Sequence, residues 1–236
     1  LFSLATIEEK KAYLKAYSQT YLQEEIRAEQ LVRKLDPFRE FLEVSAQSNG
    51  KILNFNKIGR EIGVDSKTVL SYFQILEDTC LGFLLPGFHR SIRKSQTIHP
   101  KFYYFDCGVK KSLERSLDVF VKPSTSAYGE AFEHFVILEI YRLNEYLSLD
   151  YRLSYFQTKD GAEIDLILSK RDEDILVEIK SAEKVDPIEV AKLERLSRDF
   201  PNPKTYYLSR DPDPQKLGSI DCLPWHMGLK KIFKLD

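Results

Sequence analysis

Four side chains in the second half of the chain are of the types that hold a divalent cation and steady a developing negative charge: Glu133, Asp165, Glu178 and Lys180. Two segments carry three of them, Ala162-Glu-Ile-Asp-Leu-Ile-Leu168 and Ile175-Leu-Val-Glu-Ile-Lys180. Both read as β-strands, in which alternate side chains share a face. Glu163 and Asp165 then lie on one face, with Ile164, Leu166 and Leu168 on the other. Glu178 and Lys180 also share a face. Closing the hairpin symmetrically across Ser169 to Asp174 sets Asp165 opposite Glu178, and Glu163 opposite Lys180. Directly opposed residues have Cβ atoms roughly 4.5–5.5 Å apart. Two carboxylates at that spacing repel unless a proton or a cation sits between them. A few hard oxygen ligands at one point suit Mg²⁺ or Mn²⁺. Lys180 beside such an ion could stabilise a phosphorane-like state or orient a water. Glu133, on the preceding helix, could complete the coordination directly or through water. The plainer alternative is a surface ion pair between Glu163 and Lys180, which contributes little to stability. A one-residue slip in register would dissolve the arrangement.

The elements that must position these groups form an α/β pattern. Tyr128 to Tyr146 is helical, with Phe132, Val136, Ile140 and Leu143 on one stripe. Leu153 to Thr158 alternates like a strand, and Lys159-Asp160-Gly161 has hairpin-turn chemistry. Asp186-Pro187 opens a helix through about Asp199. Lys204 to Leu208 and Ile220 to Leu223 are further strands, and Trp225 to Phe233 closes the chain as a helix.

The first half reads differently. Thr6 and Glu9 form a capping box for a helix with Leu14, Tyr17, Tyr21 and Ile26 at helical spacing, reaching about Arg33. Asp36-Pro37 restarts a helix that Asn49-Gly50 ends. Asn56 caps a short helix closed by Gly63, and Asp65 or Ser66 starts a second with Val69, Phe73 and Leu76 on one face. Helix, glycine-containing turn and helix is the pattern of a helix-turn-helix. Strands over Leu81 to Phe88 and Lys101 to Phe105 add a wing. Lys67 on the second helix, with Arg90, Arg93, Lys94 and Lys101, could neutralise DNA phosphates, and no acid lies between Asp78 and Asp106. Against this, Lys67 is the sole cation of the second helix, and Glu77 and Asp78 close it. A scaffold role is the competing reading.

The 236 residues carry a formal net charge of −1, so a nucleic-acid surface would have to be local. Three dispersed cysteines, Cys80, Cys107 and Cys222, fit neither a disulfide framework nor a zinc site, and a reducing cytoplasm suits them best. No apolar run approaches the ~20 residues of a membrane span. A start at Leu1 reads as a piece cut from a longer protein.

Asp165 with Glu178-Ile179-Lys180 resembles the motif of the PD-(D/E)XK nuclease superfamily, with Glu133 matching its helical acid. Nearly the whole chain resembles the C-terminal region of a family of archaeal and bacterial predicted AAA+ (P-loop) ATPases. Tyr17-x-x-x-Tyr21-Leu22-x-x-Glu25-Ile26, Lys101-Phe-Tyr-Tyr-Phe-Asp106-x-Gly108, Gly129-x-x-Phe132-Glu133, Gly161-x-Glu163-Ile164-Asp165 and Glu178-Ile-Lys180 match it. The resemblance implies an α/β (α+β) chain of three parts. These are a helical segment (1–36) joined to an ATPase domain upstream, a winged helix-turn-helix (37–110), and a nuclease-like domain (111–236). Gly50-Lys51 lacks the first glycine and the hydroxyl of a Walker A loop, so ATP would bind only in the upstream domain. Cys107 stands where the family usually has a hydroxyl.

Two functions follow as expectations. One is DNA binding with Mg²⁺- or Mn²⁺-dependent phosphodiester hydrolysis at Asp165, Glu178 and Lys180, the ion held by Glu133, Asp165 and Glu178. The other is a non-catalytic DNA- or protein-docking domain that keeps the fold without the chemistry.

Overall fold

The computed structural model describes residues 6–21, 35–91, 95 and 98–235. The fold is α+β, with helices in the N-terminal half and a sheet in the C-terminal half. The chain divides into two compact units. The first combines Leu1–Leu84 with His99–Phe120, and the second Leu85–Ile98 with Val121–Asp236. The division therefore lies near Phe120, not between 110 and 111. The stretch expected to be the wing of the helix-turn-helix belongs instead to the second unit.

In the first unit, α1 (Ile7–Ala16) has the expected capping box and runs into a π-helical turn, Tyr17–Tyr21. Its expected continuation to Arg33, with Leu22, Glu25 and Ile26, lies outside the described residues. Helix α2 (Leu35–Gln47) already includes Asp36, so Asp36 sits in its first turn and not at its N-cap. Helices α3 (Phe55–Glu61) and α4 (Ser66–Asp78) form the helix-turn-helix. The first is capped by Asn54, whose side chain accepts the Lys57 N–H at 2.9 Å, and not by Asn56, which lies within the helix. Asp65 caps the second by accepting the Thr68 N–H at 2.8 Å. Gly59 makes the tight turn possible: a Cβ there would lie 2.6 Å from the Val64 carbonyl oxygen. Phe41, Phe73 and Phe102 pack through the middle of this unit, the first pair edge to face and the second tilted, with ring centroids 4.8 and 5.1 Å apart.

Strands β1 (Gly82–Leu85) and β2 (Lys101–Tyr104) make a two-stranded sheet. On its other side β2 meets residues 50–53, through a bridge between Ile52 and Lys101 and a bond from the Gly50 N–H to the Phe102 carbonyl at 2.8 Å. Strand β2 is thus flanked on both edges, and all four of its residues are buried. Asp106 then caps a helix that periodicity had not revealed, α5 (Cys107–Leu113), by accepting the N–H groups of Gly108 and Val109. The Asp106-x-Gly108 segment is therefore a helix cap. A Cβ at Gly108 would stand 3.0 Å from both Asp106 Oδ1 and Leu14 Cδ1.

The second unit contains α6 (Ser126–Tyr146), β3 (Arg152–Gln157), β4 (Glu163–Lys170), β5 (Glu173–Ile179), α7 (Pro187–Ser197), β6 (Lys204–Ser209), β7 (Gln215–Leu217), β8 (Ile220–Pro224) and α8 (Trp225–Phe233). The sheet order is β3-β4-β5-β6-β8-β7, with β5, β6 and β8 parallel and the outer pairs antiparallel. The core of this unit gathers Ile164, Ile167, Leu176, Tyr207 and Cys222 with Val190, Leu193 and Leu196 of α7. Ile164 and Ile167, three apart on β4, share it across the irregular pairing with β3. Helix α8 packs on β6 and β8, and Gly228 sits so close that a Cβ would meet Leu208 Cδ2 at 2.1 Å. Pro86 to Phe88 runs along the outer edge of β3. The Phe88 N–H donates to the Tyr155 carbonyl, and the Tyr155 N–H to that of Pro86. This covers an edge that would otherwise offer unpaired backbone groups. No helix among the described residues is long and apolar enough to cross a membrane.

A candidate carboxylate–lysine site

The register expected from the sequence is the one found. Ser169 pairs with Asp174 and Leu166 with Val177, so the next step sets Asp165 against Glu178. The two strands are longer than expected, and the turn shrinks to Arg171 and Asp172. The regular ladder stops at Leu166. One position further, the Ile179 N–H bonds to Asp165 Oδ2 at 2.7 Å. On the other side of β4 the pairing with β3 slips by one residue between Ser154 and Phe156, opposite Ile167 and Ile164. Asp165 and Leu166 together oppose Tyr155, which makes a β-bulge. Bulges re-aim side chains and recur beside active sites. The sequence alternation gave no sign of it.

Asp165 and Glu178 are both buried, each 7% exposed. Lys180 Nζ hydrogen-bonds to Glu178 Oε1 and lies 3.8 Å from Asp165 Oδ2. The expected partner of Lys180, Glu163, instead accepts a hydrogen bond from Gln157 Nε2 at 3.2 Å. The second Glu178 oxygen, Oε2, is buried without a hydrogen-bond partner. Burial, then the charge of Asp165, push the Glu178 pKa up to about 8, and Glu133 adds to the rise. Burial would depress the Lys180 pKa, but the carboxylates of Asp165, Glu178 and Glu133 outweigh it and hold it above its ordinary value. Glu133 therefore acts on the site through its charge. Among the described residues, no group of three or more His, Cys, Asp or Glu side chains is set to hold a metal ion. Asp165 and Glu178 lie in close reach of Lys180, and Glu133 reaches the site through its charge.

Those two still suit Mg²⁺ or Mn²⁺, since Mg²⁺ is usually held by one or two carboxylates and fills its other positions with water or phosphate. The orphaned Glu178 Oε2, a hard oxygen in want of a proton or a cation, is the observation that favours the fit.

Other residues define the surroundings, and periodicity alone could not have found them. Tyr207 pairs with Glu178 across the parallel β5–β6 contact. Burial pushes the Tyr207 pKa up to about 12. The Lys180 N–H donates to the Leu208 carbonyl at 2.9 Å, which fixes the backbone that carries the ammonium. Gly129 of α6 is next to Ser181, with a Cβ position 3.8 Å from Ser181 Oγ. Arg210 lies 5.3 Å over the Tyr128 ring and pairs with Glu183 at 3.1 Å.

The expected DNA contacts fall in both units. Lys67 is exposed on α4 in the first unit, and Arg90 is exposed in the second. Arg93 and Lys94 lie outside the described residues. Lys101 is only 4% exposed, because β2 is flanked on both edges, and so is withdrawn from the expected phosphate contacts.

Residues 2–118 match a family described as a domain of unknown function (DUF8612). Residues 128–227 match a second domain of unknown function (DUF4143). The comparison with curated proteins found no match.

Proposed function

We propose that the second unit is a metal-dependent phosphodiester hydrolase of the PD-(D/E)XK type acting on DNA, borne at the C-terminal end of an AAA+-type ATPase. The observation that supports it most is the shared grip of Asp165 and Glu178 on Lys180, from neighbouring strands at a bulge. Asp165 and Glu178 would hold Mg²⁺ or Mn²⁺, with Glu133 contributing through water. Such an ion polarises the phosphodiester and makes a bound water acidic. The protein's part is positional. The Ile179 N–H fixes the Asp165 carboxylate, and the Lys180 ammonium stands ready to stabilise charge that builds on the phosphoryl oxygens. The ATPase upstream would drive movement or assembly, and the helix-turn-helix, with Lys67 exposed, would add weak sequence-independent contact to DNA. Conversion of supercoiled plasmid to nicked or linear forms, in millimolar Mn²⁺, tests the reading. Wild type should cut and Asp165→Asn should not.

One observation favours a second reading, a docking domain without catalysis. Lys180 already supplies the positive charge that the two carboxylates need. Absence of cleavage in Mn²⁺ and in Mg²⁺, with DNA binding retained, would move the account to that reading.

A further inference from the structure

A cavity of about 320 Å³ opens within the second unit, away from Asp165. Ser169, one of its lining residues, is four positions along β4 from Asp165, roughly 13 Å at about 3.3 Å per residue. The cavity shares no residue with the carboxylate–lysine site. Arg90, Arg152 and Arg171 line it, with Phe88, Asp172 and Asp174.

The three arginines outnumber Asp172 and Asp174 in the lining, which leaves the cavity with an excess of positive charge suited to an anion. Among the described residues, no carboxylate is ion-paired with any of the three. Arg152 is aimed by a hydrogen bond from Nη2 to Ser95 Oγ at 3.2 Å, and Ser95 donates in turn to the Gly87 carbonyl at 2.6 Å. Ser95 is 1% exposed, so this support is built into the unit. Planar guanidinium forks match the oxygens of a phosphate group.

The other lining groups narrow the ligand. Asp174 accepts from Ser169 Oγ at 2.7 Å, and with Asp172 it brings carboxylate acceptors for hydroxyl donors to the lining. Phe88, its ring 5.0 Å from that of Phe200, adds an aromatic residue to the lining, the kind of group on which bases stack. The volume lies at the small end of the roughly 300–1,000 Å³ typical of ligand pockets, which is enough for one nucleotide.

We infer that this cavity binds a nucleoside monophosphate, with its phosphate among Arg90, Arg152 and Arg171 and its sugar hydroxyls on Asp172 and Asp174. The nucleotide is either free or the 5′-phosphorylated end of a nucleic-acid strand, and the chemistry is the same. The inference does not depend on the hydrolase proposal.

Isothermal titration of the whole chain in metal-free buffer tests it. The probes are adenosine 5′-monophosphate, adenosine, inorganic phosphate, and one RNA oligonucleotide with and without a 5′-phosphate. Adenosine 5′-monophosphate should bind, and adenosine and inorganic phosphate should each bind at least about tenfold more weakly, a gap of about 1.4 kcal/mol. Tighter binding of the 5′-phosphorylated oligonucleotide than of the free nucleotide would assign the site to strand ends, and the reverse order to free nucleotides. Both outcomes support the cavity. Arg90→Gln with Arg171→Gln, at two exposed positions, should leave the melting temperature unchanged and weaken the preferred probe at least about tenfold. Asp165→Asn should leave nucleotide affinity as it was, which separates this test from that of the hydrolase site. Three results would each overturn the inference: no binding of any 5′-phosphorylated probe at millimolar concentration, equal binding of inorganic phosphate, or unchanged affinity in the double variant.

Discussion

Asp165 Oδ2 accepts the Ile179 N–H at 2.7 Å, so a side chain takes the place of a strand carbonyl where the β4–β5 ladder ends. The bond fixes one carboxylate, and the neighbouring Glu178 is left with one oxygen on Lys180 and one without a partner. The fold thus holds an acidic pair whose repulsion is relieved only in part.

Stability should record that tension as a function of pH. The Glu178 pKa rises from its ordinary 4.5 in the unfolded chain to about 8 in the folded one. Between these values the folded protein keeps a proton that the unfolded chain has released. Stability due to this group is therefore highest at low pH and falls as pH rises through the window, by on the order of a few kcal/mol. Urea unfolding in EDTA, from about pH 5 to about pH 8.5, should show this slope in wild type relative to Glu178→Gln. Parallel pH profiles for the two proteins would contradict it.

The Asp165–Ile179 bond separates two substitutions at one position. Asp165→Ala leaves the buried Ile179 N–H without its acceptor and should cost about 1–3 kcal/mol. Asp165→Asn retains an oxygen for that bond and relieves repulsion with Glu178, so metal-free unfolding should show little loss. Equal destabilisation by both would mean that the hydrogen bond is not what holds the strand end.

Much of this site was legible before the structure. Strand alternation and symmetric closure of one hairpin were enough to place Asp165 against Glu178, because register has period two and both strands bury apolar faces. The bulge at Asp165 and Leu166 was not legible, since it is set by how β3 meets β4 and not by the pattern of either strand. Lys101 misled for a related reason. A cation in a basic stretch reads as exposed, yet a strand paired on both edges buries it. Helix α5 was hidden because its seven residues are too few to establish a period, although its Asp106 cap was in view. The placement of Pro86 to Phe88 depends on backbone bonds to β3, which no local signal encodes.

The helix-turn-helix depends on one close approach. Gly59→Ala puts a Cβ 2.6 Å from the Val64 carbonyl oxygen, and backbone on both sides cannot yield cheaply. A loss of about 1–3 kcal/mol is expected in denaturant unfolding. Gly63→Ala should also destabilise, through its φ of +71°, but without any clash. A neutral Gly59→Ala would contradict the packing of this turn.

DNA affinity should fall with salt, each phosphate contact adding about 0.9 to the slope of log affinity against log salt. Removing Lys67, Arg90, Arg93 and Lys94 together should flatten that slope. Lys101→Ala should leave the slope alone and lower the melting temperature, because Lys101 is buried. A slope that responds to Lys101 and not to the other four would reverse the assignment.

The central claim is that Asp165 and Glu178 form a cation site, and thermal melting against Mn²⁺ concentration tests it most directly. An ion that binds only the folded state stabilises it by about 2.7 kcal/mol at a hundred times its dissociation constant. The wild-type melting temperature should climb with millimolar Mn²⁺. Lys180→Ala should climb at least as far, since the competing ammonium is gone. Asp165→Asn should lose most of the rise. A wild-type melting temperature that ignores Mn²⁺, or a rise that Asp165→Asn leaves intact, would contradict the account.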